Sequence, residues 1–108
     1  MISIDDFRKV EIRIGTVLSA EKVPDTDKLL KLSVDLGEEI PRQIVSGIAE
    51  YVTPEEMIGL QFPFVTNLEP RMLRGIESQG MILALGGDKD SFSLISPRKQ
   101  VAPGSQIR

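Results

Sequence analysis

The chain has no cysteine and no histidine. The first absence excludes disulfides, thiolate chemistry and cysteine-based zinc sites. The second removes the commonest general base and the commonest transition-metal ligand. Ser-His-Asp, Cys-His and His-metal arrangements cannot be assembled, so an enzyme is disfavoured and neither a metal nor a cofactor is expected. Aromatic residues are also scarce: four phenylalanines, one tyrosine and no tryptophan. A protein that binds single strands needs aromatic platforms for the bases. If this chain takes a nucleic acid, it is expected to grip backbone and shape instead. No apolar run approaches ~18 residues, so no membrane span is expected. The opening Met1-Ile2-Ser3-Ile4-Asp5-Asp6 has neither the basic nor the apolar segment of a signal peptide. A cytoplasmic protein fits these features.

What is present is one domain's worth of chain, residues 1–108, with 41% apolar residues. The net charge of −3 is mildly unfavourable for nucleic acid, but it is unevenly spread. Residues 1–70 carry 7 Lys/Arg against 13 Asp/Glu, giving −6; residues 71–108 carry 6 against 3, giving +3.

Ser3 is a helix N-cap with Asp6 at N3, and Ile2 and Phe7 hold the staple positions, so a short helix is predicted to about Lys9. Val10, Ile12 and Ile14 then alternate with Glu11 and Arg13 as a strand, and the phase slip at Gly15-Thr16 predicts a bulge there. Leu30 to Leu36 alternate cleanly, and Arg42 to Ser46 is the expected hairpin partner. Thr53-Pro54-Glu55-Glu56 reads as a helix start, stopped by Gly59 within about two turns. Residues 61–66 form a strand that Pro63 places at an edge or a bulge. Met81 to Leu85 and Phe92 to Ile95 are further strands, and Pro103-Gly104 precedes a last short one ending at Ile107. Five strands with one helix between the third and fourth predict an all-β, OB-type Greek-key barrel with short terminal extensions; a small SH3-like barrel is the rival.

Several constellations invite chemistry. Asp25-Thr26-Asp27 lacks a calcium-loop spacing and reads better as a turn. Glu55 and Glu56 are explained by the helix start rather than by acid–base work. Arg42 and Ser46 share a strand face, and with Lys28 or Lys31 they line either a groove or a plain solvated surface. The segment from Asn67 to Met81 reads as an irregular polar connection between apolar strands. In a turn or helix its Arg71 and Arg74 would project together onto phosphates, although Glu77 offers a neutralising partner. Phe62 and Phe64 lie on one strand face and are assigned to the core.

Taken in order, five motifs resemble the tRNA-binding OB-domain family. They are Val10-Glu11-Ile12-Arg13-Ile14-Gly15, Asp27-Lys28-Leu29-Leu30-Lys31-Leu32, Ile44-Val45-Ser46-Gly47, Asn67-Leu68-Glu69-Pro70-Arg71 and Gly75-Ile76-Glu77-Ser78-Gln79-Gly80-Met81. Ser3 to Phe7 and Leu94-Ile95-Ser96-Pro97 look most like the branch attached to methionyl-tRNA synthetase, as a C-terminal domain or a separate beta subunit. The resemblance implies non-catalytic binding of tRNA by shape, with little sequence preference, and a synthetase catalytic core as partner in cis or in trans. Carried over by position, it implies a binding face of Lys28, Arg42, Ser46, Asn67, Arg71, Arg74, Ser78 and Met81. It also implies a homodimer formed through the termini, for which Ile2, Ile4, Phe7, Val101 and Ile107 are the available apolar residues. Glu69 and Met72 stand where relatives often have lysine, which implies weaker, more salt-sensitive binding. A chaperone-like, peptide-binding relative on the same fold is the alternative, slightly favoured by the acidic pI of about 4.9.

Overall fold

Ser3 and Asp6 cap each other as their spacing predicts. Ser3 Oγ accepts from the Asp6 amide at 3.1 Å, and the Asp6 carboxylate accepts from the Ser3 amide at 3.3 Å in the computed structural model, which describes residues 1–108. The helix they open, α1 (Ile4–Phe7), stops short of the expected Lys9. None of its residues is buried, so no packing extends it beyond the capped turn.

The first strand, β1 (Ile12–Lys22), is long enough to serve two partners. Its C-terminal part pairs with β2 (Leu30–Asp35) and its N-terminal part with β4 (Gln61–Val65), both antiparallel. β3 (Arg42–Ser46) returns along β2 as the alternation predicts. The bulge lies at Leu18 rather than at Gly15, because the register slips between Val17 and Ser19. Gly15 serves packing instead: a Cβ there would meet Val34 Cγ1 at 2.4 Å and Leu36 Cδ2 at 2.9 Å. The expected middle helix is a single 3₁₀ turn, Pro54–Glu56. The Glu56 carboxylate accepts from the Thr53 amide at 2.9 Å, but Gly59 follows at φ 83° and ends the turn.

Pro63 is found in an interior strand, not at an edge. Phe64 pairs with Ile82 of β7 (Met81–Ile82), and the Leu83 amide then donates to the Pro63 carbonyl at 3.0 Å. Pairing with β7 breaks beside the residue that has no N–H to give. The expected Met81–Leu85 strand is accordingly split, and β8 (Ala84–Leu85) leaves to pair with β9 (Ser93–Leu94). The connection from Asn67 to Met81 is also more regular than its sequence predicts. It contains a hairpin of β5 (Arg71–Leu73) and β6 (Ile76–Ser78), joined by Arg74 and Gly75 at φ 52° and 79°. Two successive left-handed residues are the backbone of a type I′ turn, which matches the strand twist.

The sheet order β3-β2-β1-β4-β7 leaves β3 and β7 as its ends. Side chains close the barrel between them. The Gln79 amide donates to the Gln43 carbonyl at 2.8 Å, and the Gln43 amide donates to Gln79 Oε1 at 2.9 Å. The Val45 amide donates to Ser78 Oγ at 2.9 Å, and Ser78 donates to the Gly80 carbonyl at 2.9 Å. The result is a nearly closed five-stranded barrel with the OB-type strand order and the 3₁₀ turn between β3 and β4. Its core holds Phe62, Phe64, Leu30, Leu32 and Ile44, all essentially inaccessible, each worth ~1.5–3 kcal/mol of apolar burial. No helix is long and apolar enough to cross a membrane.

Because Ser78 is buried with both its donor and acceptor engaged, Ser78→Ala strands the Val45 N–H without a partner. Urea denaturation should show a loss of about 1–3 kcal/mol. An unchanged midpoint would show that the seam does not depend on this hydroxyl.

Candidate nucleic-acid interface

The eight residues that the sequence nominates separate into two groups. Three of them hold the fold. Arg42 donates through Nε and Nη2 to the Glu38 carboxylate at 2.9 and 2.8 Å. Its Nη1 donates to the Thr66 carbonyl at 2.5 Å and to the Gln79 carbonyl at 3.2 Å. Asn67 pins the N-terminal segment: Oδ1 accepts from the Glu11 amide at 2.8 Å, and Nδ2 donates to the Lys9 carbonyl at 2.7 Å. Ser78 is consumed by the seam. Polar groups paired in this way have little left to offer a ligand without breaking the contacts that position them.

The same corner carries a perturbed carboxylate. Thr66 donates its hydroxyl to Glu11 Oε1 at 2.5 Å, and this bond holds the Glu11 carboxyl below its ordinary value of 4.5 against the opposing effect of burial. Arg13, with Nε 3.1 Å from the same oxygen, adds to the lowering. Glu11 is therefore ionised at neutral pH and is no general acid.

The other five residues remain available. Ser46 at the end of β3, Arg71 at the start of β5 and Met81 at the start of β7 line one groove of about 310 Å³. The β5–β6 hairpin forms one wall, so the turn at Arg74-Gly75 determines where Arg71 points its charge. Arg74 itself is exposed at the hairpin tip. Lys28 is exposed next to Leu29, a groove residue, and its carbonyl is fixed by the Ala49 amide at 3.0 Å. Neither Arg71, Arg74 nor Lys28 is in an ion pair, whereas Lys31 is 2.7 Å from Glu21 on β1. Glu77 pairs across the hairpin with Met72 and makes no ion pair with Arg74.

Sequence reasoning missed the apolar half of this groove, which Leu29, Leu68 and Leu73 supply along with Gly47. The signal was the alternation of Arg71-Met72-Leu73 and Ile76-Glu77-Ser78 on either side of Arg-Gly, a hairpin pattern hidden by its polar composition. Glu69, read only as a misplaced charge, also faces the groove. No aromatic residue lines it: Phe62 and Phe64 are core, as assigned, and Tyr51 stacks on Phe92 with centroids 4.7 Å apart.

Of the terminal apolar residues, Ile2, Ile4, Phe7 and Ile107 are exposed. Ile4, Phe7, Val10 and Ile107 line a second depression of about 690 Å³. Val101 is half-buried, with its backbone N–H and C=O both bonded to the Gln61 side chain at 3.0 and 2.7 Å.

Residues 12–106 match the family described as "Putative tRNA binding domain". The whole chain is 55% identical to part of the methionine–tRNA ligase of Methanoregula boonei, spanning 16% of that protein's length. Among solved structures, a MetRS-related protein from Pyrococcus horikoshii superimposes with a TM-score of 0.91 at 40% identity, covering 100% of this chain and 98% of that one. The chaperone CsaA of Bacillus anthracis superimposes with a TM-score of 0.88 at 30% identity, covering 100% of this chain and 99% of that one. The chain belongs to the tRNA-binding domain family, and is a non-catalytic accessory module homologous to the C-terminal region of methionyl-tRNA synthetases.

Proposed function

We propose that the chain binds tRNA non-covalently, by shape and backbone with little sequence preference, as the accessory and dimerising module of a methionyl-tRNA synthetase. The observation that carries this reading is the pair Arg71 and Arg74. Both are exposed and free of ion pairs on a hairpin that walls the groove. Free guanidinium groups suit phosphate oxygens. The scarcity of stacking aromatics leaves backbone contact as the main source of affinity. Glu69 beside Arg71 weakens the local field, so the affinity is modest. Attached in cis or in trans to a catalytic core, such a module raises the effective concentration of tRNA at that core without adding chemistry. The apolar walls of the groove and the similarity to CsaA support a second reading, in which an unfolded peptide occupies the same groove.

Gel-shift titration of tRNA, with an RNA duplex of the same length as comparison, tests the first reading over a salt series. Tighter binding of tRNA, weakening steeply with salt, is expected. Arg74→Glu should weaken binding of every tRNA species and reduce the salt slope by about 1. Equal binding of both RNAs, or no binding at low salt, would sink this reading. Saturable binding of an apolar peptide with no effect of tRNA would establish the second.

The exposed Ile2, Ile4, Phe7 and Ile107 support a homodimer through the terminal segments. Light scattering at micromolar concentration is expected to give twice the 11.9 kDa chain mass. Phe7→Glu should return a folded monomer. A monomeric mass for the unaltered chain would contradict the dimer.

A further inference from the structure

We infer that the groove between β3 and the β5–β6 hairpin is a subsite for one unpaired nucleotide of the bound RNA. This deepens, and rests on, the reading of the chain as a tRNA binder. The groove's volume of about 310 Å³ lies at the small end of ligand sites, enough for one ring system and its sugar but not for a helix. Its lining is mixed in the way a nucleotide is mixed. Leu29, Leu68 and Leu73 offer apolar surface to the faces of a base, while Arg71 at the same groove offers a fork to the attached phosphate. Ser46 brings a hydroxyl within the lining, suited to a ribose 2′-OH. Glu69 repels phosphate and accepts from N–H groups on a base edge, so it favours the base, not the backbone, at its position.

Two features favour a nucleotide over a peptide as occupant. The exposed charges next to the groove, Arg71, Arg74 and Lys28, are cationic and unpaired, and so complement a polyanion. The segment from residue 71 onward carries +3, with 6 Lys/Arg and 3 Asp/Glu. Gly47 supplies the opening: a Cβ built there meets nothing within 4 Å, and its backbone is not left-handed. A larger side chain at Gly47 therefore enters the groove region without straining the fold.

Gly47→Leu provides the test, because it fills space while leaving Arg71, Arg74 and Lys28 in place. The full chain and this variant are titrated with a tRNA transcript and with a blunt RNA duplex, each over a salt series. The inference expects tRNA affinity to fall about tenfold with the salt slope unchanged, because the lost contact is to a base and not to a phosphate. Duplex affinity should stay the same. Leu68→Ser, which removes one exposed wall, should weaken tRNA binding in the same direction, with a thermal melt confirming that both variants are folded. Unchanged tRNA affinity in folded Gly47→Leu overturns the subsite while leaving tRNA binding standing. An equal loss for tRNA and duplex also overturns it, since the variant would then disturb backbone contacts. Competition by an apolar peptide that Gly47→Leu abolishes, with tRNA affinity intact, assigns the groove to peptide and overturns it. Failure of the unaltered chain to bind tRNA removes the underlying reading itself.

Discussion

The fold depends on how β3 meets the β6–β7 segment. Every other pair of neighbouring barrel strands is joined by a backbone ladder, but here two short strands are joined largely through side chains. Gln79 uses its amide N–H and its side-chain oxygen on the two backbone groups of Gln43. Ser78 replaces a missing backbone acceptor for Val45, and Arg42 ties the carbonyls of Thr66 and Gln79 together from outside. A buried backbone donor left unpaired is costly, so these side chains are as necessary to closure as the ladder is elsewhere.

Closure of this kind has a functional consequence. The residues after Ser78 must turn back towards β3, and the chain before it is free to project as the β5–β6 hairpin. That hairpin carries the unpaired arginines and walls the groove whose floor includes Val45 and Gly80, both of which are held by the seam. The binding surface is thus built directly on the closing contacts and inherits their rigidity, which reduces the ordering cost of an encounter. A surface with few free cations and Glu69 among them is suited to assisting a larger enzyme, where tethering supplies the concentration that affinity does not.

Much of the barrel was legible because β2 alternates strictly and its partner follows a short turn. Ser3-Asp6 capping was legible because it is local. Errors arose where local signals have two causes. Gly15 resembles a bulge glycine, but its missing Cβ is needed by Val34 and Leu36, which come from β2. Pro63 resembles an edge residue, but the neighbouring strand ends beside it. The site was legible as a region rather than residue by residue. Arg42, Asn67 and Ser78 have the chemistry of phosphate or ribose contacts, and only the three-dimensional partners show that Glu38, Glu11, Lys9 and Val45 already occupy them. The apolar wall at Leu68 and Leu73 was invisible because the polar hairpin around it conceals its alternation.

The central claim is that the motif residues divide into those that close the barrel and those that meet RNA. Side-chain Nε–H resonances of the arginines report on this directly during a tRNA titration. The account predicts that the signals of Arg71 and Arg74 shift or broaden while that of Arg42, locked on Glu38, stays in place. Movement of the Arg42 signal ahead of those of Arg71 and Arg74 would contradict it.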